Sequence, residues 1–190
     1  RRSLSVKTYG APDHYYILTY STTDGSRNQP TSLTTNYCNR KWRIKLDIYT
    51  DGCCFPNNGK GDGGWSYAWE EMDMYHIVYG YLPPPTTNNV AELRAVARAM
   101  EAHPFCDIYS DSKYVVDGYN LWSVKWEASD WKRKRGNGIK NLPLWMYLKS
   151  LPYHGRLGWV KGHSGVFLNM LADSGATCAR ETKQPYDYLC

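Results

Sequence analysis

Hydrophobic and polar positions alternate along residues 44–52, where Ile44, Leu46 and Ile48 are interleaved with Lys45, Asp47 and Tyr49. A period of two marks a half-buried strand. Asp51-Gly52 at its end puts a carboxylate where a turn opens. Residues 53–64 read as a loop containing Gly59, Gly61, Gly63 and Gly64, without the GxxxxGKS/T frame that cradles phosphates. Residues 65–70 and 74–82 read as two strands of a hairpin around an acidic turn at 71–73, and Pro83-Pro84-Pro85 ends the sheet.

The period then lengthens. Val90, Leu93, Val96 or Ala97, and Met100 predict a helix over 90–102, capped by Asn88 or Asn89 and bounded by Pro104. Glu92 falls in its first turn, one step off the apolar stripe. Residues 105–110 form a short strand leading to Asp111, and Ser112 caps a helix over 113–119. Residues 120–141 are rich in tryptophan and basic side chains, and 142–151 form a helix with Pro143 in its first turn. A last strand at 156–161 runs into the loop Gly162-His163-Ser164-Gly165 and a final helix over 167–183. The order β-β-β-α-β-α-α-β-α predicts an α/β domain whose mixed sheet begins antiparallel and gains parallel strands.

At 190 residues the chain is about one domain long. Its formal charge of +5 permits an anionic partner, and 17 tyrosines and 8 tryptophans leave aromatic surface for stacking. Cys38, Cys53, Cys54, Cys106, Cys178 and Cys190 show no CxxC pair and no metal-finger spacing, so they read as reduced thiols of an intracellular protein. No apolar run reaches the ~20 residues of a membrane span. Residues 1–43 form an extension rich in Ser, Thr, Asn and Tyr, with seven Lys or Arg against Asp13 and Asp24. Within it, residues 14–20 read as a strand and Asp24-Gly25-Ser26 as a hairpin turn. The extension is either a solvated arm with some β character or a contact for nucleic acid or another subunit. Its basic, acid-free opening, Arg1-Arg2-Ser3-Leu4-Ser5, is loosely like the tail of an organelle transit peptide.

Asp51 and Asp111 each follow a predicted strand, and ligand sites form beyond the carboxyl ends of parallel strands. Parallel pairing of those two strands brings both carboxylates to one edge. Glu92 starts a helix able to pack beside it, and Asp173 shares a face of the last helix with Asn169 and Thr177. Four carboxylates without cations repel one another. Hard oxygen ligands point to Mg²⁺, with Mn²⁺ as a substitute, and two such ions suit in-line displacement at phosphorus. His163, ten residues before Asp173, reads either as an ordinary loop histidine or as a mobile acid/base.

Five ordered motifs resemble type 1 ribonuclease H. They are Ile48-Tyr49-Thr50-Asp51-Gly52-Cys53-Cys54, Thr86-Thr87-Asn88-Asn89-Val90-Ala91-Glu92-Leu93, Tyr109-Ser110-Asp111-Ser112-Lys113-Tyr114-Val115, Val160-Lys161-Gly162-His163-Ser164-Gly165 and Asn169-Met170-Leu171-Ala172-Asp173. The resemblance implies a ribonuclease H-like fold over 44–183, a five-stranded mixed sheet with its first three strands antiparallel, flanked by helices. Residues 184–190 are then a tail. It implies hydrolysis of the RNA strand of an RNA–DNA hybrid, leaving 5′-phosphate and 3′-hydroxyl ends. Asp51, Glu92, Asp111 and Asp173 would hold two Mg²⁺, and His163 would assist proton transfer or product release. The matching RNA-strand contacts are Asn57, Asn88, Asn89 and Glu92, with the backbone of Gly52 and Cys54.

Residues 122–141 look like the family's basic handle. Trp122 and Trp126 would pack on a deoxyribose, Lys132, Arg133 and Lys134 would meet the DNA strand, and Thr87 and Asn141 would hold a DNA phosphate. The other reading of such a run is core aromatics beside a solvated charged face. Pro85 departs from the arginine of many eukaryotic members, and Pro56 from a small polar residue. Two further readings are a structural or recruiting ribonuclease H-fold subunit of a larger ribonucleoprotein, and the ribonuclease H domain of a reverse transcriptase; residues 1–43 are a candidate contact for a larger assembly.

Overall fold

The computed structural model describes residues 9–10, 16–21, 46–132 and 138–184. Its strands are β1 (Tyr9–Gly10), β2 (Tyr16–Ser21), β3 (Asp47–Phe55), β4 (Gly61–Glu71), β5 (Met74–Thr86), β6 (Asp107–Ser110) and β7 (Leu157–Trp159). Its helices are α1 (Asn88–Ala102), α2 (Lys113–Asp117), α3 (Ser123–Ala128), α4 (Leu142–Ser150) and α5 (Phe167–Thr182). One sheet holds all seven strands in the order β1-β2-β5-β4-β3-β6-β7. β3, β4 and β5 pair antiparallel, and β6 and β7 add in parallel beside β3. That is the expected five-stranded mixed sheet, extended on the β5 edge by an antiparallel hairpin from the N-terminal extension. The strand expected at 14–20 is β2, whose partner in the hairpin precedes it. The turn at Asp24-Gly25-Ser26, and Ile44 with Lys45, lie outside the described residues.

The sheet is covered on both faces, so β4 is buried almost throughout rather than alternately. Trp65, Tyr67 and Trp69 face α1 and join Ile48, Leu93, Val96, Met100, Ile108, Trp145 and Leu148 in the main core. The intervening Ala68 packs with Ile77 and Tyr79 against Ala172 and Ala179 of α5. That helix lies so close that a β-carbon on Gly64 would fall 2.0 Å from the carbonyl oxygen of Ala176.

Several boundaries differ from the sequence pattern. β3 runs through Gly52 to Phe55, so most of the expected loop at 53–64 is strand. β5 continues through the three prolines to Thr86, which a bulge opposite residues 61–63 allows. Thr87, not Asn88 or Asn89, caps α1, its Oγ1 accepting from the Val90 N–H at 3.3 Å. The helix expected to stop at 119 continues through a π-helical segment, Gly118–Trp122, into α3.

Candidate active site

β3 and β6 run parallel in register from Asp47↔Asp107 to Thr50↔Ser110. One residue further on, Asp51 and Asp111 emerge side by side. β6 ends there, whereas Asp51 remains inside β3, paired with Ser66 of β4. Asp51-Gly52 is therefore not a turn. Gly52 is required by close approach, because a β-carbon there would lie 2.3 Å from the Ala91 carbonyl carbon and the Glu92 nitrogen. The first turn of α1 rests on that bare α-carbon. This contact brings Glu92, from the helix, up to carboxylates carried by the sheet.

Oxygens of Asp51, Glu92 and Asp111 all lie within 4.8 Å of one another, and these are the only such cluster of potential metal ligands among the described residues. Glu92 Oε2 is buried without a hydrogen-bond partner. Burial, then the neighbouring charges of Asp111 and Asp173, push the Asp51 carboxyl up to about 8, against one opposing hydrogen bond from the Gly52 N–H at 2.7 Å. Burial and the charges of Asp51, Asp111 and Asp173 raise Glu92 well above the usual carboxylate range. Asp173, half-buried on α5, thus faces the cluster, although its oxygens stand outside the tight group of three. A buried, unpartnered carboxylate oxygen among like charges fits a divalent cation with hard oxygen ligands.

Asp111 is held through both its side chain and its backbone. Asn169 Nδ2 donates to its Oδ2 at 3.2 Å, and the Trp159 indole N–H donates to its backbone carbonyl at 3.1 Å. Both positioning contacts were missed in the sequence. Asn169 was visible as the residue one helical turn before Asp173 and as the start of the last motif, without this partner, and nothing marked Trp159. His163 is exposed at the far end of the 159–163 segment, with φ 52°, a left-handed backbone uncommon for a residue with a side chain. The loop around it is closed by the Ser164 hydroxyl, which donates to the Lys161 carbonyl at 2.6 Å.

The expected strand-contact residues divide. Asn88 and Asn89 are exposed at the start of α1, and Asn57 Oδ1 accepts from the Asn88 N–H at 3.1 Å, joining the 56–60 turn to that helix. Cys54 buries its side chain, the thiol donating to the Thr86 carbonyl at 3.2 Å, so only its backbone can meet a ligand. Trp122 is 36% exposed. Trp126 instead packs on Trp145 and Trp131, with ring centroids 5.6 and 6.3 Å away. Asn141 Nδ2 donates to the Tyr114 hydroxyl at 3.2 Å. Lys132 is exposed and pairs with Asp130 at 2.7 Å, whereas Arg133 and Lys134 lie outside the described residues.

A family model described as RNase H matches residues 43–181. The chain is 39% identical over 143 residues to a ribonuclease H of Rhodopirellula baltica, covering 70% of this chain and 89% of that one. It is 40% identical over 144 residues to a ribonuclease H of Francisella tularensis subsp. novicida, covering 73% and 93%. Among solved structures it resembles a type 1 RNase H with the type 2 active-site motif, with a TM-score of 0.63 and 30% identity over 72% of each chain. The foamy viral protease-reverse transcriptase in complex with an RNA/DNA hybrid shares the fold, with a TM-score of 0.61 at 19% identity over 85% of this chain and 24% of that one. No helix among the described residues is long and apolar enough to cross a membrane. By the extent of the family match and the identity to these enzymes, the chain belongs to the ribonuclease H family.

Proposed function

We propose that the protein is an endoribonuclease that hydrolyses the RNA strand of RNA–DNA hybrids, leaving 5′-phosphate and 3′-hydroxyl ends. The observation that carries this reading is the convergence of Asp51, Glu92 and Asp111 within 4.8 Å around an unpartnered Glu92 oxygen. These three side chains would hold divalent magnesium, with manganese as a substitute, and Asp173 would complete a place for a second ion. When bound, the ions supply activation of water and charge neutralisation at the leaving oxygen.

The chain's own residues do the remaining work. Asn169 and Trp159 fix Asp111 before any ligand arrives, so little reorganisation is needed at the moment of reaction. His163, exposed and on a loop, is suited to carry a proton to or from the reacting phosphate group, or to leave with the product. Gly52 and the Cys54 backbone, with Asn57, Asn88 and Asn89, would read the RNA strand, whose 2′-hydroxyl both donates and accepts hydrogen bonds. Thr87, Trp122, Trp126, Lys132, Arg133, Lys134 and Asn141 would meet the DNA strand. Thr87 Oγ1 already caps α1, so its hydroxyl hydrogen is the atom left for a phosphate oxygen. The proximity of all four acids supports a working site over a retired scaffold.

The full chain incubated with Mg²⁺ and a labelled hybrid is expected to cut the RNA strand, leaving single-stranded RNA, duplex RNA and duplex DNA intact. Absence of cleavage with both Mg²⁺ and Mn²⁺ would defeat the reading.

A further inference from the structure

Two rows of side chains run together away from the carboxylate cluster. On β3, Asp51, Cys53 and Phe55 occupy alternate positions and so share a face. On α5, Asp173, Thr177 and Arg180 follow at i, i+4 and i+7, one stripe of a helix. The rows match rung by rung. The charge of Asp173 bears on Asp51, the Thr177 side chain hydrogen-bonds Cys53, and the Arg180 guanidinium lies over the Phe55 ring, 5.8 Å from its centroid.

The last rung differs from ordinary surface packing. Phe55 is 68% exposed, the most of any large hydrophobic side chain among the described residues. Single exposed apolar residues are common, but this one carries a cation on its ring. An arginine held over an aromatic face by a cation–π contact still has N–H donors to offer a bidentate partner. Its acidic neighbours take little of this capacity. Glu181, 64% exposed, accepts from Nη2 of the 23% exposed Arg180 at 3.5 Å, a long contact between sequence neighbours. Asp62 is engaged by Lys183 at 3.9 Å and by the Tyr81 hydroxyl at 3.2 Å. Four residues of strand separate Phe55 from Asp51, roughly 13 Å, a span of a few nucleotides.

We propose that Arg180 and Phe55 form a subsite for a backbone phosphate of the RNA strand, a few nucleotides from the bond that is cut. The Arg180 fork takes the phosphate oxygens while the Phe55 ring holds the guanidinium in place. This rests on the hybrid-cleavage reading above. The RNA strand is the one assigned, because the row begins at the carboxylates that strand must pass. It also ends two residues before Asn57, a contact of the same strand.

The test is hybrid binding, measured by anisotropy across a salt series in Mg²⁺, with the full chain carrying Asp111→Asn so that no cleavage intervenes. Adding Arg180→Gln is expected to weaken binding about tenfold and to make the log–log salt slope shallower by about 0.7–0.9. Arg180→Lys should retain the slope while losing a few-fold in affinity. Phe55→Ser should weaken binding a few-fold, and the double variant no more than Arg180→Gln alone, since the ring acts through the guanidinium. A single methylphosphonate on a 2′-O-methyl ribose should reproduce the loss at one RNA position, relative to a 2′-O-methyl phosphate there, and add nothing to Arg180→Gln. Unchanged affinity and slope in Arg180→Gln overturn the subsite, as does coupling to a DNA-strand phosphate instead. Failure of the unmutated chain to cleave would overturn the functional reading alone, because this series reports on Arg180 without cleavage.

Discussion

The carboxylate cluster and the tryptophan-rich segment beyond residue 120 are both assembled from side chains on several elements, but they leave those side chains in opposite conditions. At the cluster, β3, α1, β6 and α5 deliver like charges to one place. A Glu92 oxygen is left without a partner, and burial drives Asp51 up to about 8. In the tryptophan segment several of the groups that looked available for a ligand already have partners within the fold. Trp126 is packed between Trp131 and Trp145. Asn141 Nδ2 and Trp145 Nε1 share the Tyr114 hydroxyl, and Lys132 pairs with Asp130. The candidate site is marked by groups the fold leaves unsatisfied, more than by their type.

The sharpest way to test that contrast is Asp111→Asn. Cleavage should fall by more than ~10³-fold, whereas hybrid binding should persist, because asparagine can still accept from Asn169 through its carbonyl. Removing one charge from a self-repelling cluster should also raise the thermal stability of the metal-free protein, by about 1 kcal/mol. Melting with EDTA and with Mg²⁺ checks this. Mg²⁺ should stabilise the unmutated chain and do so less in the variant. A variant that melts lower without metal would mean the carboxylates are satisfied in the folded state.

The same contrast predicts different fates for the two tryptophans on one stretch of helix. Trp126→Ala should cost about 2–3 kcal/mol, at or below the lower end for core aromatics, since this half-buried ring packs on Trp131 and Trp145. Trp122→Ala should leave the melt within about 1 kcal/mol, since its ring is the more exposed, yet weaken hybrid binding. Equal stability losses would show that both rings are core and that neither is kept for a partner.

Much of the cluster was legible in the sequence because its chemistry is carried by residue type and order. The alternation of residues 44–52 located β3, Glu92 and Asp173 fall on helices as read, and Asp111 directly follows a strand as read. What stayed hidden was whatever depends on tertiary contact. The end of β3 was misplaced because Asp-Gly is a local turn signal, whereas β4 pairs across it and overrides that preference. The prolines of β5 were taken as a stop because a bulge cannot be read from composition. The helix past 119 was cut short, since Trp and Lys runs resemble a solvated segment until Trp145 is seen packed against Gly118 and Trp126. In the handle, residue type suggested contact, but packing had first use of Trp126 and Asn141.

Gly52 links the two halves of the comparison, since the cluster too depends on packing. Gly52→Ala should force α1 away from β3, because its β-carbon would sit 2.3 Å from helix backbone that cannot swing aside. A loss of about 1–3 kcal/mol is expected from overpacking, with a fall in cleavage as Glu92 is displaced. Unchanged melting would show that α1 is not seated on this strand.

The smallest effect belongs to Lys132. It is 79% exposed and its partner Asp130 is 83% exposed, so Lys132→Ala should alter stability by less than about 0.5 kcal/mol. Its ammonium is free to exchange Asp130 for a phosphate at little cost, since an exposed pair is already well solvated. If it makes that exchange, the salt slope of hybrid binding should become shallower by about 0.7–0.9, equally for every hybrid sequence tested. If the slope stays the same, Lys132 makes no contact with the backbone phosphates.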